Sequence, residues 1–422
     1  MATLEYIDYQ PHRAERQSDE TIQWVTDRHH KRIKRLPQIV WVNGKTWSEA
    51  NVWALEMAQS RASIKTVIAS MQGLLTYARW LEAEGVDWTH FPRRESERAL
   101  YRYRGALTEA RDSGQLAPST VSSRMAQAVR FYRWVLYSRL LSPESPMWKD
   151  RIVRLNFHDA VGFERAMKVA TTDLAIPNRR PAGALHLESG LMPVTRARRD
   201  EILSFARKRS SEAMCLMLSL GFATGMRLGS LCDLKEDTIC NAVPAPLPGF
   251  HQLSIGPGAR PPVRTKYGIS GRVLIPDPLL EDLKAHLWST KRQLRKGKAN
   301  PAHSDLAFLT IAGRPYEDED GRHSTINTEM ARLRKLAEAE GVTALRGFKF
   351  HRSRATFATH LLIAALDTFP ETSTAITFVR DACLHKNEAT TLEYVKFIED
   401  TKAMKEGAAK FSEFFMGIRA DD

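Results

Sequence analysis

Apolar residues recur at helical spacing in the first half of the chain. From about residue 47, hydrophobic positions follow the 3.6-residue period of a helix that buries one face. Gly85 follows this stripe and predicts the end of the helix, because glycine readily adopts the backbone of a helix C-cap. The stripe comprises Ile64, Val67, Ile68, Met71, Leu74, Leu75, Ala78 and Leu81.

A second helix is predicted after the turn at residues 114–118, with Ser119 or Thr120 as its cap. Its inward residues are Val121, Met125, Val129, Tyr132 and Leu136. Its other faces carry arginines, on a helix that also contains Phe131 and Trp134. This pattern suits a surface that faces phosphates, and an ordinary solvated face explains it equally well. The candidate DNA-binding residues of this helix are Arg124, Arg130 and Arg133.

The second half of the chain mixes helices with short strands. The apolar run at residues 213–226 is interrupted by polar residues and glycines and is too short to cross a bilayer, so it predicts a core helix. Strand candidates lie at residues 252–255, 262–265 and 272–275, and glycines would turn the last two into a hairpin. We therefore predict a mainly α fold with a small β-hairpin, an α+β class.

Four segments follow from these patterns. Residues 1–40 form a basic extension whose run at 28–35 is either a solvated surface or an arm that touches the DNA backbone. Residues 41–150 form a helical domain, 151–193 a linker in which periodicity weakens and residues 176–184 contain two prolines and a glycine, and 194–416 a second, mixed domain.

The net charge of the chain indicates a class of binding partner, which the helix and strand patterns do not. Lys and Arg number 62 against 49 Asp and Glu, a formal net charge of +13. Dispersed cations of this kind favour nucleic acid, because neutralised phosphates release counterions. A membrane surface is less favoured, since no basic amphipathic helix stands apart from a folded core.

The chain's ends and thiols bear on location. The first residues have no basic region followed by an apolar one, so we expect no secretory signal and a cytoplasmic location. Cys215, Cys232, Cys240 and Cys383 lie in or beside apolar runs without Cys-x-x-Cys spacing, which predicts reduced core thiols.

Two short motifs carry candidate chemistry. His351 and Arg354 are three residues apart before a helical run, so both would lie on one face of its first turn, where the helix dipole favours an anion. Arg227 follows a buried helix and a turn at Gly225. An arginine so close to a core needs a fixed anionic partner, either an internal carboxylate or a ligand phosphate.

The order of these motifs resembles that of the tyrosine recombinase (phage integrase) family. Residues 223–231 read Ala-Thr-Gly-Met-Arg-Leu-Gly-Ser-Leu, and residues 351–361 read His-Arg-Ser-Arg-Ala-Thr-Phe-Ala-Thr-His-Leu. His385 then precedes Tyr394 by nine residues. The resemblance covers about residues 194–415, and residues 119–134 resemble a helix of the family's core-binding domain.

The resemblance implies a site-specific DNA recombinase with an N-terminal core-binding domain and a C-terminal catalytic domain. Tyr394 would attack the phosphodiester and form a 3′-phosphotyrosyl bond. Arg227 and Arg354 would bind the non-bridging oxygens, His351 would accept the phenol proton, and His385 would bind the phosphate from a third direction.

Lys266, within Val-Arg-Thr-Lys-Tyr-Gly at residues 263–268, is placed like the family's hairpin lysine and would protonate the departing 5′-oxygen. Arg264 and Arg272 are competing cations for this role and candidate DNA-binding residues.

The resemblance further implies double-stranded DNA as partner and four protomers on two DNA sites, without metal or ATP. Accessory recombinases or directionality factors are further candidate partners, and a bacterial or mobile-element protein at the nucleoid is expected. A helix over residues 404–416 would dock on a neighbouring protomer or pack on its own domain.

Two positions depart from the family pattern. The family commonly has an acidic residue three positions after its first arginine, where this chain has Ser230. It usually has glycine before its second histidine, where this chain has Leu384.

Two other functions remain open. A type IB topoisomerase shares the tyrosine chemistry, and a DNA-binding accessory factor could keep the fold without cleaving. Integration, excision, transposition and resolution are not separated by the sequence.

Overall fold

The structure is a computed structural model that describes residues 1–401 with short gaps. The gaps are residues 18–19, 28–31, 61, 143–145, 159–163, 179–186, 188–190, 319–320, 387–389 and 399–400, and the side chains of 153–158 and 164–169 are also outside the description. The residues expected to form a C-terminal docking helix, 404–416, therefore lie outside the described residues. The chain divides into two compact units, the first comprising residues 1–158 and 164–182 and the second the remainder.

Helices build the core of the first unit. They are α1 (Ser48–Gln59), α2 (Ile64–Glu84), α3 (Ala99–Asp112) and α4 (Pro118–Tyr137). The predicted stripe of α2 is buried, and Gly85 ends the helix at φ 60°. The start of α4 differs from the prediction: Ala117 is the N-cap and Pro118 the first residue, because proline is preorganised for that position. Phe131 is fully buried.

The N-terminal residues form strands. They are β1 (Thr3–Tyr9), β2 (His12–Arg16), β3 (Ile22–Thr26) and β4 (Ile33–Val40). β1 pairs with β4 and β2 with β3, both antiparallel. Leu36 and Ile39 of β4 are buried in the helical core, and Asn51 of α1 bonds to both the N–H (2.7 Å) and the C=O (3.2 Å) of Ile39. Where the sequence predicted an extension, apolar residues thus dock a β-ribbon on the helices.

A second hairpin occupies part of the segment predicted as a linker. β5 (Asp150–His158) pairs in antiparallel register with β6 (Glu164–Thr172). Leu174 and Ile176, just beyond β6, are buried in the core of the first unit. The first unit thus extends beyond residue 150, which we predicted as its end.

The second unit packs helices around the apolar helix α6 and a small sheet. Its helices are α5 (Arg196–Arg209), α6 (Glu212–Thr224), α7 (Leu228–Cys232), α8 (Glu236–Cys240), α9 (Asp277–Trp288), α10 (Thr290–Lys298), α11 (Ser324–Ala339), α12 (Arg352–Thr368) and α13 (Thr372–Ala382). Residues 390–398 are also helical. α6 contacts α5, α9 and α12 as well as the sheet, so the predicted core helix lies at the centre of this unit.

The sheet of the second unit corrects one predicted pairing. Its strands are β7 (Val243–Pro244), β8 (Phe250–Ile255) and β9 (Gly271–Pro276), in the order β7-β8-β9. The hairpin partner of β9 is β8, and residues 262–265 make only an isolated bridge, Val263 to Gly256. Pro261 and Pro262 have no N–H to donate to a ladder, which explains why no strand forms there.

The predicted fold class, mainly α with small antiparallel sheets, is confirmed. Of the cysteines, Cys232 and Cys383 are buried and Cys215 is half-buried, whereas Cys240 is exposed, contrary to the expectation of a core thiol. Among the described residues, none of the helices has the length and apolar character needed to cross a membrane.

Candidate active site

Arg227 lies directly after the turn that ends α6. Gly225 ends the helix in the left-handed region, at φ 63°. Phe357 of α12 packs so closely here that a Cβ on Gly225 would lie 2.3 Å from its Cδ1. Arg227 is the N-cap of α7 and half-buried. A tight glycine turn against α12 therefore determines where Arg227 lies.

His351 and Arg354 lie at the start of α12, as the sequence predicted. His351 is the N-cap residue, and Arg354 follows within the first turn. The Arg354 side chain is almost fully buried and donates hydrogen bonds to the carbonyls of Gly225 (2.6 Å) and Cys383 (2.9 Å). Burying a guanidinium requires such acceptors. Arg354 therefore connects α12 to the turn after α6 and to the end of α13.

Lys266 lies in the connection between β8 and β9. It begins a short 3₁₀ turn, Lys266–Gly268, in which Tyr267 has φ 66°. Thr265 Oγ1 donates to Ile269 C=O (2.6 Å) across this turn. The ammonium groups of Lys266 and Lys386 each lie 5.1 Å from the centroid of the Tyr267 ring. Cation–π attraction thus holds one lysine of the loop and one lysine after α13 on the same exposed ring.

Three of the predicted cations line one narrow cleft of the second unit. Arg227, Lys266 and Arg354 all contribute to its walls, together with Ser230 and Leu384. The cleft has a volume of about 10 Å³, roughly the space of one water molecule. Two guanidinium groups and an ammonium group around so small a space favour an anion.

His385 and Tyr394 lie together. Their rings are stacked with centroids 6.0 Å apart and planes 15° apart. His385 Nδ1 is 2.9 Å from Thr391 Oγ1, and both residues are buried. Tyr394 belongs to the helical residues 390–398 and is fully buried in a small apolar core with α12 and α13. The predicted nucleophile thus lies next to the predicted histidine.

The backbone before His385 connects this pair to the cleft. Leu384 C=O accepts a long hydrogen bond from Arg227 Nη1 (3.5 Å), and Cys383 C=O accepts the bond from Arg354. The described residues that line the cleft include neither His351 nor His385 nor Tyr394. The six predicted residues therefore form a group of three at the cleft, a stacked pair beside it, and His351 at the start of α12.

Both departures from the family pattern lie on the cleft wall. Leu384 has φ 50°, a left-handed conformation that glycine adopts without strain, at the position where the family usually has glycine. Its side chain packs against Gly271, where a Cβ would lie 2.4 Å from Leu384 Cδ2. Ser230 is buried in α7. A Cβ on the neighbouring Gly229 would lie 3.8 Å from Glu317 Oε2, so a carboxylate reaches this helix from elsewhere in the chain.

Sequence reasoning missed two carboxylates that fix the chain segment directly before Lys266. The backbone N–H of Arg264 donates to Asp233 Oδ2 (2.6 Å), and its guanidinium pairs with Asp233 (3.3 Å) and Glu317 (2.9 Å). Both carboxylates are nearly buried, and Lys235 also pairs with Asp233 (3.3 Å). The only signal in the sequence was an acid flanked by apolar residues, Asp233 between Cys232 and Leu234. These pairs fix the chain two residues before Lys266.

The remaining predicted DNA-binding residues are on the surface of their units. Arg124 is half-buried on α4, whereas Arg130 and Arg133 are exposed. Arg133 lies 3.4 Å from Asp150, and Arg272 is exposed and donates to Gln252 Oε1 (3.2 Å). The guanidinium of Arg264 is paired with internal carboxylates, so its contact with DNA stays a prediction. The contacts of DNA with Arg124, Arg130, Arg133 and Arg272 also stay predictions.

One competing nucleophile near the cleft can be set aside. Burial raises the pKa of the Cys232 thiol well above its usual range, and the Glu317 carboxylate raises it further. A thiol with a raised pKa stays protonated at neutral pH and is a poor nucleophile.

Comparisons with known proteins show similarity in structure only. No family model matches the sequence, and no curated protein matches it. Among solved structures, the XerH site-specific recombinase bound to its palindromic difH substrate has a TM-score of 0.51 at 14% identity, over 86% of this chain and 85% of that one. The Tn1549 transposon integrase in complex with transposon right end DNA has a TM-score of 0.50 at 16% identity, over 86% of this chain and 99% of that one.

Proposed function

Since the chain has the fold of the tyrosine recombinases, we propose that it is a site-specific DNA recombinase that cleaves and rejoins strands through Tyr394. The observation that carries the proposal is the convergence of Arg227, Lys266 and Arg354 on one cleft, joined through residues 383–384 to the His385–Tyr394 pair. The two solved structures described above are complexes with DNA.

The proposed chemistry is an in-line displacement at phosphorus. The Tyr394 oxygen forms a bond to the scissile phosphorus while the bond to the 5′-oxygen breaks, which leaves a 3′-phosphotyrosyl bond. The phenol proton passes to His351, and Lys266 Nζ gives a proton to the departing 5′-oxygen. Arg227 and Arg354 donate to the non-bridging oxygens as their charge grows, and His385 adds a further hydrogen bond.

This scheme needs neither nucleotide nor metal ion. The phosphotyrosyl bond replaces one phosphodiester by another, so the energy for rejoining is stored in the intermediate. Guanidinium and ammonium groups supply the positive charge that a metal ion would otherwise provide.

The buried state of Tyr394 adds a conformational step to the proposal. Its side chain is fully buried against α12 and α13 and is not among the described residues that line the cleft. The helical residues 390–398 must move before the hydroxyl reaches a phosphate at Arg227 and Arg354.

The proposal assigns roles along the whole chain. Residues 194–416 carry catalysis, and the helical domain around 41–150 binds double-stranded DNA, with Arg124, Arg130 and Arg133 of α4 on the phosphates. Four protomers act on two sites, with residues 404–416 as the docking helix and with accessory factors where a reaction needs direction. The protein acts in the cytoplasm, at the nucleoid.

A covalent-capture experiment tests the nucleophile. The full chain is incubated with nicked duplexes drawn from a large pool of sequences, and protein–DNA adducts that survive SDS are isolated and sequenced. We expect adducts enriched in one sequence, and none with Tyr394→Phe. Tyr267→Phe is the matched control, because Tyr267 is exposed beside Lys266 and is the rival phenol. Loss of adduct with Tyr267→Phe and not with Tyr394→Phe would reverse the assignment.

Two further assays on the same protein, plasmid relaxation and duplex binding, separate the two other functions. Relaxation of plasmids without sequence preference would indicate a type IB topoisomerase. Tight DNA binding with no adduct from any duplex would indicate a non-cleaving accessory factor.

A further inference from the structure

The loop that carries Lys266 lies at the surface of the second unit. Residues 266–268 are all exposed, and a lysine side chain is long and flexible. Thr265 Oγ1 donates to Ile269 C=O (2.6 Å), a contact that shapes the loop without joining it to the helix that carries Arg227. A proton donor must lie within hydrogen-bond reach of the oxygen that it protonates. Under the proposed function, the main chain of this loop therefore needs a further anchor.

Arg264 provides such an anchor to α7. Its backbone N–H donates to Asp233 Oδ2 (2.6 Å), and its guanidinium lies 3.3 Å from Asp233 Oδ1 and 2.9 Å from Glu317 Oε2. Asp233 is the C-cap of α7, and Arg227 is the N-cap of the same helix. Lys266 is two residues beyond Arg264, a reach of at most about 7 Å. The clamp, defined as Arg264, Asp233 and Glu317, thus connects the loop to the helix that holds Arg227.

Both carboxylates of the clamp are shielded from solvent. The side chain of Asp233 is 12% exposed and that of Glu317 is 4% exposed. Charge-assisted hydrogen bonds are stronger than neutral ones, and removal of one partner of a shielded pair leaves a buried charge without compensation. Lys235 adds a second cation, 3.3 Å from Asp233 Oδ1. The backbone position of Arg264 is therefore firmly held.

We infer that Asp233 and Glu317 are positioning residues for proton donation by Lys266, and that Arg264 transmits their effect. This inference rests on the proposed function. Ser230 of α7 stands where the family commonly has an acid, and the clamp brings two carboxylates to this helix from other positions. The clamp holds the loop so that the Lys266 ammonium faces the phosphate in the cleft. Arg264 thereby acts through Lys266 and is not itself the proton donor.

A leaving group that needs no proton tests this inference. The substrate is the duplex recovered by covalent capture, prepared with either oxygen or sulfur at the bridging 5′ position of the scissile phosphate. A thiolate departs without protonation, because a thiol is far more acidic than an alcohol. Asp233→Asn should lower the single-turnover cleavage rate of the oxygen substrate by about 10- to 100-fold, since a small misplacement of a catalytic group has an effect of this size. Cleavage of the sulfur substrate should fall by less than about threefold.

Two further variants separate positioning from folding. Arg264→Lys keeps the positive charge but replaces the planar fork by one ammonium group, so it should show a smaller loss that is again specific to the oxygen substrate. Glu236→Gln is the matched control, because Glu236 pairs with Arg292 (2.6 Å) in the same unit and outside the clamp. It should change the cleavage rates of the two substrates by the same factor.

The double variant of Asp233→Asn and Lys266→Met completes the test. If Asp233 acts through Lys266, the double variant should cleave the oxygen substrate within about twofold of Lys266→Met alone. Three results would each overturn the inference and leave the proposed function intact: no loss or equal loss on both substrates in Asp233→Asn, additive loss in the double variant, or the same oxygen-specific loss in Glu236→Gln. Failure of the unchanged protein to form an adduct with any duplex would instead overturn the proposed function, and this inference with it.

Discussion

A single residue, Leu384, illustrates how the cleft differs from the family pattern. Its left-handed backbone, at φ 50°, costs a residue with a Cβ about 1 kcal/mol or more. Glycine at this position, which is usual in the family, avoids that cost. The leucine side chain instead lines the cleft and packs on Gly271. Its conformation is held by neighbours, since its carbonyl accepts from Arg227 and its neighbour Cys383 accepts from Arg354.

We therefore expect glycine to be better than alanine at position 384. Leu384→Gly and Leu384→Ala both remove the leucine packing, but only glycine removes the backbone strain. The glycine variant should have a free energy of unfolding about 1 kcal/mol higher than the alanine variant. Urea denaturation of both variants measures the difference. An alanine variant as stable as the glycine variant would mean that residue 384 does not hold this conformation.

At the level of elements, the site depends on one close crossing between α6 and α12. Gly225 ends α6, its carbonyl accepts from Arg354, and the ring of Phe357 lies where its Cβ would be. The crossing therefore positions both predicted arginines at once. The segment before Lys266 is also fixed by contacts with distant residues, because Asp233 and Glu317 bind Arg264, two residues before the lysine.

Gly225→Ala should be markedly more harmful than an alanine at a comparable open turn. The new Cβ would meet Phe357 Cδ1 at 2.3 Å and would also strain a backbone at φ 63°. We expect the free energy of unfolding to fall by about 2–4 kcal/mol. Gly341→Ala is the control in the same unit, because Gly341 has φ 74° and nothing within 4 Å of a Cβ. It should cost about 1 kcal/mol.

Thermal or urea unfolding of the two glycine variants provides the measurement. Equal losses of unfolding free energy in Gly225→Ala and Gly341→Ala would show that α6 and α12 can separate at their crossing without cost. That result would contradict the inference that the crossing positions Arg227 and Arg354.

At the scale of the whole molecule, charge is distributed unevenly. The chain carries +13 overall, and residues 28–35 contain a dense run of cations. Arginines of α4 are on the surface of the first unit, and Arg227, Lys266 and Arg354 line a cleft of the second. Both units thus offer cations for broad contact with a polyanion.

DNA binding should weaken steeply as salt rises. If about six or more phosphates are neutralised, affinity for a mixed-sequence duplex should fall by about 10³-fold between roughly 50 and 200 mM salt. Fluorescence anisotropy titrations over this range measure the slope. If α4 contacts phosphates, the double variant Arg130→Gln and Arg133→Gln should make the slope of log affinity against log salt concentration shallower by about one to two. A flat salt response in the unchanged protein would contradict broad phosphate contact.

Sequence alone determined the elements whose signal is local. The apolar stripe of α2 and its end at Gly85 follow from helical periodicity and glycine's backbone freedom, and both are confirmed. The turn at Gly225 and the start of α12 at His351 and Arg354 were likewise predictable from a few adjacent residues. The α+β class followed from the alternation of helical and strand patterns.

Only the tertiary structure decided what depends on distant residues. Pairing of β9 with β8, docking of β4 through Leu36 and Ile39, and the carboxylates of Asp233 and Glu317 around Arg264 all join residues far apart in the chain. In the sequence, Leu384 was only a departure from the glycine that is usual in the family. Its left-handed backbone and its position on the cleft wall follow only from the tertiary structure. Local periodicity and turn residues record short-range sterics, whereas burial and charge pairing depend on which segments meet.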